Sequence, residues 1–212
     1  MVLEEERRQI VAYCRRLRPD GLVIATSGNI SVRSGDLVAV TPSGIEYDEL
    51  SADQIGVYQL DGTPIEAQLA PTTELPMHLA VYERTQARAV VHTHSTAATA
   101  VSTLVDELPA IHYLIAIFGG PVRVAPYTTY GTDELAAGVA HALEGRTACI
   151  LANHGTVTVG QTLDKAYTHA VYLEWLCDIW LRASTIRRPR LLSEEELTRV
   201  ARKIATYGAS AD

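Results

Sequence analysis

The sequence predicts a layered α/β fold built on a largely antiparallel sheet. Three observations lead there. Short apolar segments are joined by turn signals such as Ser34-Gly35-Asp36 and Asp61-Gly62, which close hairpins and so pair neighbouring strands antiparallel. Longer segments with apolar residues three and four apart alternate with those hairpins and read as helices. No GxGxxG run opens a helix after a strand, which counts against a doubly wound dinucleotide-binding sheet.

In chain order, Ile10, Val11, Cys14 and Leu17 give residues 4–18 one buried helical stripe, and Pro19-Asp20-Gly21 stops that helix. Residues 29–32 and 37–41 form a first hairpin; residues 57–60 and 64–66 form a second. Thr73 is placed to cap a helix over 74–85, with Pro76 accommodated in its first turn. Residues 89–94 read as a strand, with Ser95 as the cap of an alanine-rich helix. Helices follow over 133–143, 163–184 and 193–206, with short buried strands at 148–152 and 156–159. No repeat, low-complexity segment or linker divides the chain, so residues 1–212 are expected to form one domain.

Hydrophobic residues make up 47% and charged residues 20%, a balance that supports a packed core. With one Phe, that core must be filled by Val, Ile, Leu and Ala, with the ten Tyr at its margins. A net charge of -7 counts against a general nucleic-acid binder. It leaves room for an anionic small molecule, because local donors can outweigh global charge. Cys14, Cys149 and Cys177 are widely spaced and form no CxxC pair, as expected of buried thiols in a reducing compartment. The start, MVLEEERRQI, has no apolar signal core, and no stretch is long and uncharged enough to span a bilayer. A cytoplasmic protein without a membrane partner is expected.

The chemistry concentrates in histidines. In Val90-Val91-His92-Thr93-His94, two imidazoles at i and i+2 of a strand point to the same face. Such a pair is either a polar strand end or half of a metal site. His154 follows the apolar run Cys149-Ile150-Leu151-Ala152 and precedes Gly155, so a third imidazole also sits where a buried strand ends. Three neutral imidazoles with one open position suit a catalytic zinc ion, although iron, cobalt and nickel accept the same donors. His78, His112, His141 and His169 read as surface or partly buried packing residues, His78 standing one turn after Glu74.

Thr26-Ser27-Gly28-Asn29, Thr41-Pro42-Ser43-Gly44 and Pro71-Thr72-Thr73 are small hydroxyl- and glycine-rich turns. Each is explained locally as a turn or cap; acting together, their hydroxyls and backbone N–H groups make a lysine-free phosphate site. Glu74 likewise has two readings, an acid favoured by a helix start or a proton shuttle beside a metal.

On these residues the chain resembles the class II aldolase/adducin family. The resemblance is carried by Thr26-Ser27-Gly28-Asn29-Ile30-Ser31, Thr41-Pro42-Ser43-Gly44, Thr72-Thr73-Glu74, His92-Thr93-His94-Ser95, His112-Tyr113 with Gly119-Gly120, and Asn153-His154-Gly155, in order along most of the chain. It implies a central, mostly antiparallel sheet with helices on both faces. It implies that His92, His94 and His154 bind Zn2+, with Glu74 in the fourth position when no substrate is bound and as acid/base during turnover. Gly28, Asn29, Ser43, Gly44, Thr72 and Thr73 would surround the substrate phosphate. The implied reaction cleaves a ketose 1-phosphate, such as L-fuculose 1-phosphate, to dihydroxyacetone phosphate and an aldehyde through a metal-stabilised enediolate. Tyr113 would serve the aldehyde half from a neighbouring subunit of a homotetramer, with Tyr130 and Tyr207 near the same interface, where those two also read as packing tyrosines. The family also holds pentulose 5-phosphate 4-epimerases, in which Asp usually replaces the residue at Glu74, and methylthioribulose 1-phosphate dehydratases. Its adducin-type heads are binding modules expected to lack the metal ligands that this chain keeps.

Overall fold

The structure is a computed structural model that describes residues 1–206; Tyr207 lies outside the described residues. Helix α1 (Glu4–Leu17) leads into hairpin strands β1 (Asn29–Ser34) and β2 (Leu37–Val40), then a 3₁₀ turn at Ala52–Gln54. Strands β3 (Gly56–Gln59) and β4 (Pro64–Glu66) form the second hairpin. Helix α2 (Leu75–Arg84), strand β5 (Ala89–Thr93) and helix α3 (Thr96–Ser102) follow, then strand β6 (Glu107–Leu108), a 3₁₀ turn at Tyr113–Phe118, and strand β7 (Val122–Ala125). The chain continues through α4 (Asp133–Ala142), β8 (Ala148–Leu151), β9 (Gly155–Gly160), α5 (Leu163–Ser184) and α6 (Glu194–Ala205).

The strands form a nine-stranded sheet in the order β4-β3-β2-β1-β5-β9-β8-β7-β6. Among the described residues every neighbouring pair is antiparallel except β7 and β8, which run parallel. The expected layering is therefore present. Side chains alternate across the sheet and sort into two apolar layers. Ile30, Val32, Ala89 and Val91 face α1 and the first half of α5. Val38, Val90, Val157 and Val159 face α2 and α4 on the other side. Ala148 and Ile150 continue the first face beneath α3, α5 and Leu197 of α6. Buried aliphatic side chains each stabilise such layers by roughly 1.5–3 kcal/mol relative to exposure. No helix of the described residues is long and apolar enough to cross a membrane.

Two capping expectations are corrected. Residue Glu74, rather than Thr73, occupies the position before α2, and no side chain caps that helix. Ser95 precedes α3, but its hydroxyl caps nothing and is buried without a partner. The carboxylate of Glu174, on α5, takes the first amides of α3, accepting from Ala97 N at 2.8 Å and Ala98 N at 2.9 Å. A charged acceptor from another helix outcompetes the local hydroxyl. The strand carrying the histidine pair also ends one residue early, at Thr93.

Candidate active site

The site lies where β1, β5 and the β8–β9 turn end together on the α2 side of the sheet. Asn29 pairs in register with His92, so the two side chains share the face on which Val90 meets α2 and α4. His94 follows two residues on, just past the strand. His154 stands in the turn joining β8 to β9, between Asn153, whose φ is 55°, and Gly155. A Cβ at Gly155 would lie 2.2 Å from the Thr93 carbonyl oxygen and 3.2 Å from His94 Cδ2. Glycine there lets the start of β9 touch the end of β5, which draws the third imidazole against the first two.

The four donors meet. Ligand atoms of Glu74, His92, His94 and His154 all lie within 4.8 Å of one another. His92 Nε2 is 2.9 Å from His94 Nε2 and 2.9 Å from Glu74 Oε2, while His154 Nε2 is 3.3 Å from Glu74 Oε1. His92 Nδ1 donates to the Thr156 carbonyl oxygen at 2.8 Å. A carbonyl only accepts, so in the neutral ring the Nε2 lone pair faces the cluster, the arrangement that orients metal-binding histidines. Burial and the neighbouring imidazoles push His94 down to about 3, and burial with His92 pushes His154 down to about 4. Burial pushes the Glu74 carboxyl up, but His92, Asn29 and His154 outweigh it and hold the carboxyl well below its usual range. Glu74 Oε1 is buried and forms no hydrogen bond. Inward lone pairs beside an ionised carboxylate repel unless a positive charge lies among them. Three imidazoles and one carboxylate therefore fit a divalent cation, with the donor set of catalytic zinc.

Above this cluster opens a cavity of about 400 Å³. Its walls include every residue expected around phosphate: Gly28, Asn29, Ser43, Gly44, Thr72 and Thr73. No lysine or arginine lines it among the described residues. A bridge between Pro42 and Pro71 ties two of the turns together, with Thr72 N donating to the Thr41 carbonyl at 3.0 Å. Ser43 spends its donors inside this junction, its amide on the Ala70 carbonyl at 3.1 Å and its hydroxyl on the Pro71 carbonyl at 2.9 Å. Asn29 is also engaged, its Nδ2 donating to Thr72 Oγ1 at 3.0 Å and Glu74 Oε2 at 2.9 Å. Thr73 and Gly44 are exposed. Tyr47, which sequence reasoning missed, places its hydroxyl 2.9 Å from the Ser27 carbonyl and 2.8 Å from that of Gly28, bracing the first turn from the core.

Tyr127 and Tyr130 stand at the exposed rim of the cavity with Thr128. Tyr113 does not line it. That side chain is half exposed, its ring 4.5 Å from His112, which meets Trp175 edge-on at 4.9 Å. His78, expected at the surface or partly buried, is fully buried beneath Asn29.

Fold and site together define a layered α/β protein with a candidate metal centre beneath a hydroxyl-lined cavity, and the comparisons assign its class. Residues 8–181 match the family described as Class II Aldolase and Adducin N-terminal domain. The chain is 41% identical over 211 residues to a 5-deoxy-D-ribulose 1-phosphate aldolase of Bacillus thuringiensis serovar kurstaki, covering 98% of this chain and 99% of that one. It is 41% identical over 204 residues to the L-fuculose phosphate aldolase of Escherichia coli K12, covering 95% and 94%. A solved L-fuculose 1-phosphate aldolase superposes with a TM-score of 0.94 at 38% identity, covering 97% of this chain and 98% of that one. The chain belongs to the class II aldolase and adducin family. It is an enzyme of the class II aldolase type, a metal-dependent aldehyde-lyase.

Proposed function

We propose that this enzyme cleaves a ketose 1-phosphate between C3 and C4, releasing dihydroxyacetone phosphate and an aldehyde. The observation that carries this reading is Glu74, set between His92 and His154 with an unbonded carboxylate oxygen, at the base of a cavity walled by hydroxyl- and glycine-rich turns. His92, His94 and His154 would hold zinc, with Glu74 in the fourth position only until substrate binds. When bound, the cation supplies a Lewis acid at the ketone end of the substrate. Thr73, the hydroxyl of Thr72 and the backbone around Gly28 and Gly44 bind the phosphate and set C3 against Glu74. Asn29 and Ser43 act behind them, one on the carboxylate and one on the turn. As the bond breaks, the C4 hydroxyl gives up a proton, and Glu74 delivers one to C3 of the three-carbon fragment.

L-fuculose 1-phosphate and 5-deoxyribulose 1-phosphate share their first three carbons and differ only in the aldehyde they release. Both therefore present the same half to the cluster, and the choice between them falls to the rim around Tyr127 and Tyr130. Tyr113 acts on the aldehyde half from a neighbouring subunit of a homotetramer, a reading supported by its half-exposed position away from its own cavity.

The test is a panel of ketose 1-phosphates, including those two, L-rhamnulose 1-phosphate and 5-methylthioribulose 1-phosphate, assayed for dihydroxyacetone phosphate. At least one is expected to be cleaved, with loss of activity in chelator and recovery on adding zinc. Epimerisation or dehydration without cleavage, or no reaction at all, overturns the reading. A monomeric mass at full specific activity overturns the role of Tyr113.

A further inference from the structure

Behind Glu74 runs a chain of buried side chains that the reaction does not touch. Glu74, just before α2, and His78 and Tyr82 on it recur every four residues and form one stripe. That stripe faces Asn29 and Ser31, which share one face of β1 two residues apart. Four contacts join them: Tyr82 Oη to Ser31 Oγ at 2.7 Å, Ser31 Oγ to His78 Nδ1 at 2.6 Å, His78 Nε2 to Asn29 Oδ1 at 2.5 Å, and Asn29 Nδ2 to Glu74 Oε2 at 2.9 Å. None of the five side chains is more than 5% exposed, with His78 and Ser31 at 0%.

The donors can be assigned from chemistry alone. An ionised carboxylate only accepts, so the Asn29 amide must turn its NH2 to Glu74 and its oxygen to His78. An amide oxygen also only accepts, so His78 carries its proton on Nε2. The neutral ring then leaves Nδ1 as an acceptor, which takes the Ser31 hydroxyl proton. The Ser31 oxygen in turn accepts from Tyr82. Every bond points the same way, toward the carboxylate. Reversing the Asn29 amide would set oxygen against carboxylate and NH2 against the ring N–H, both costly where burial excludes water.

We infer that His78 is a positioning residue for catalysis: with Ser31 and Tyr82 behind it, it locks the Asn29 amide in the one orientation that holds Glu74 Oε2 and leaves Oε1 free to move the proton. The inference rests on Glu74 being the acid/base. It assigns work to a histidine that touches neither substrate nor metal. It also accounts for the Asn29 Nδ2 donating to the carboxylate.

The test uses the zinc-loaded enzyme. Long-range 1H–15N correlation is expected to find His78 neutral with its proton on Nε2; a proton on Nδ1, or a doubly protonated ring, overturns the inference without any turnover measurement. In kinetics, His78→Leu is expected to lower kcat roughly 10-fold, with KM within about twofold and the zinc content unchanged. His78→Gln, which restores an N–H donor near the Nε2 position, is expected to recover most of the loss. If a folded, zinc-loaded His78→Leu keeps full kcat while Glu74→Gln is slowed, the positioning role fails and the function stands. If Glu74→Gln itself turns over normally, the function reading fails first. Equal losses in His78→Leu and His78→Gln reduce His78 to packing.

Discussion

The two faces of the sheet bury comparable elements but use them differently. On the α1/α5 face buried His169 is satisfied by the backbone alone: it donates Nδ1 to the Val159 carbonyl at 2.8 Å and packs edge-on against Phe118 at 5.6 Å. On the α2 face, His78 is buried as deeply but joins a chain of side chains that ends on Glu74. Burial lowers the proton affinity of both rings, of His78 to about 3, so neither depth nor a depressed pKa tells them apart. Their connections do. A histidine satisfied by one backbone carbonyl holds a helix on a sheet, whereas one bonded on both nitrogens to side chains fixes an orientation elsewhere.

Substitutions on the α2 face should alter activity more than stability, and those on the α5 face the reverse. The largest effect is expected from Glu74→Gln, which preserves shape but removes the proton carrier: kcat should fall by roughly 10²-fold or more. Steady-state kinetics on the zinc-loaded variant measures this, and unchanged turnover removes Glu74 from the mechanism. Thr73→Ala, at the exposed end of the phosphate wall, should raise KM roughly 10-fold through one lost charge-assisted hydrogen bond. An unchanged KM would move the phosphate elsewhere.

The smallest effect on turnover is expected on the other face. His169→Leu should leave kcat intact and cost about 1–3 kcal/mol of stability, because the Val159 carbonyl loses its side-chain donor. In a chain of this length that lowers Tm by several degrees. Burial, partly offset by the Val159 bond, lowers the His169 pKa in the folded state below its ordinary 6.5. The unfolded chain therefore takes up the proton first, and stability is lost as pH falls below about 6.5. Thermal melts from pH 7.5 to 5 should show a shallower decline in His169→Leu than in the parent. A parallel decline would place the acid sensitivity elsewhere.

The comparison also separates what was legible in the sequence from what was not. Period-two alternation marked His92 and His94 as one face, and an apolar strand ending at His154 marked the third imidazole. Glycine at 155 signalled a close approach, and the structure supplies its partner, the Thr93 carbonyl. Local patterns carry such facts because each depends on a few neighbouring residues. The misread elements all depended on distant ones. Ser95 was a reasonable cap until Glu174, about eighty residues on, supplied a charged one. Thr73 matched a cap by composition, but the helix begins after Glu74, whose carboxylate is drawn to the histidines. The parallel β7–β8 pair comes from the crossover through α4, which no hairpin signal announces. His78, Ser31 and Tyr82 looked unrelated because only strand–helix packing brings i, i+2 of β1 against i, i+4 of α2.

The central claim is that His92, His94, His154 and Glu74 form a single metal site. Its most direct measurement is the metal content per chain, by elemental mass spectrometry, of the purified enzyme beside His94→Ala and His169→Leu. The account predicts about one equivalent of zinc in the parent and in His169→Leu, and a large loss in His94→Ala. Retention of a full equivalent by His94→Ala, or a parent that neither carries nor takes up a divalent metal, would contradict it.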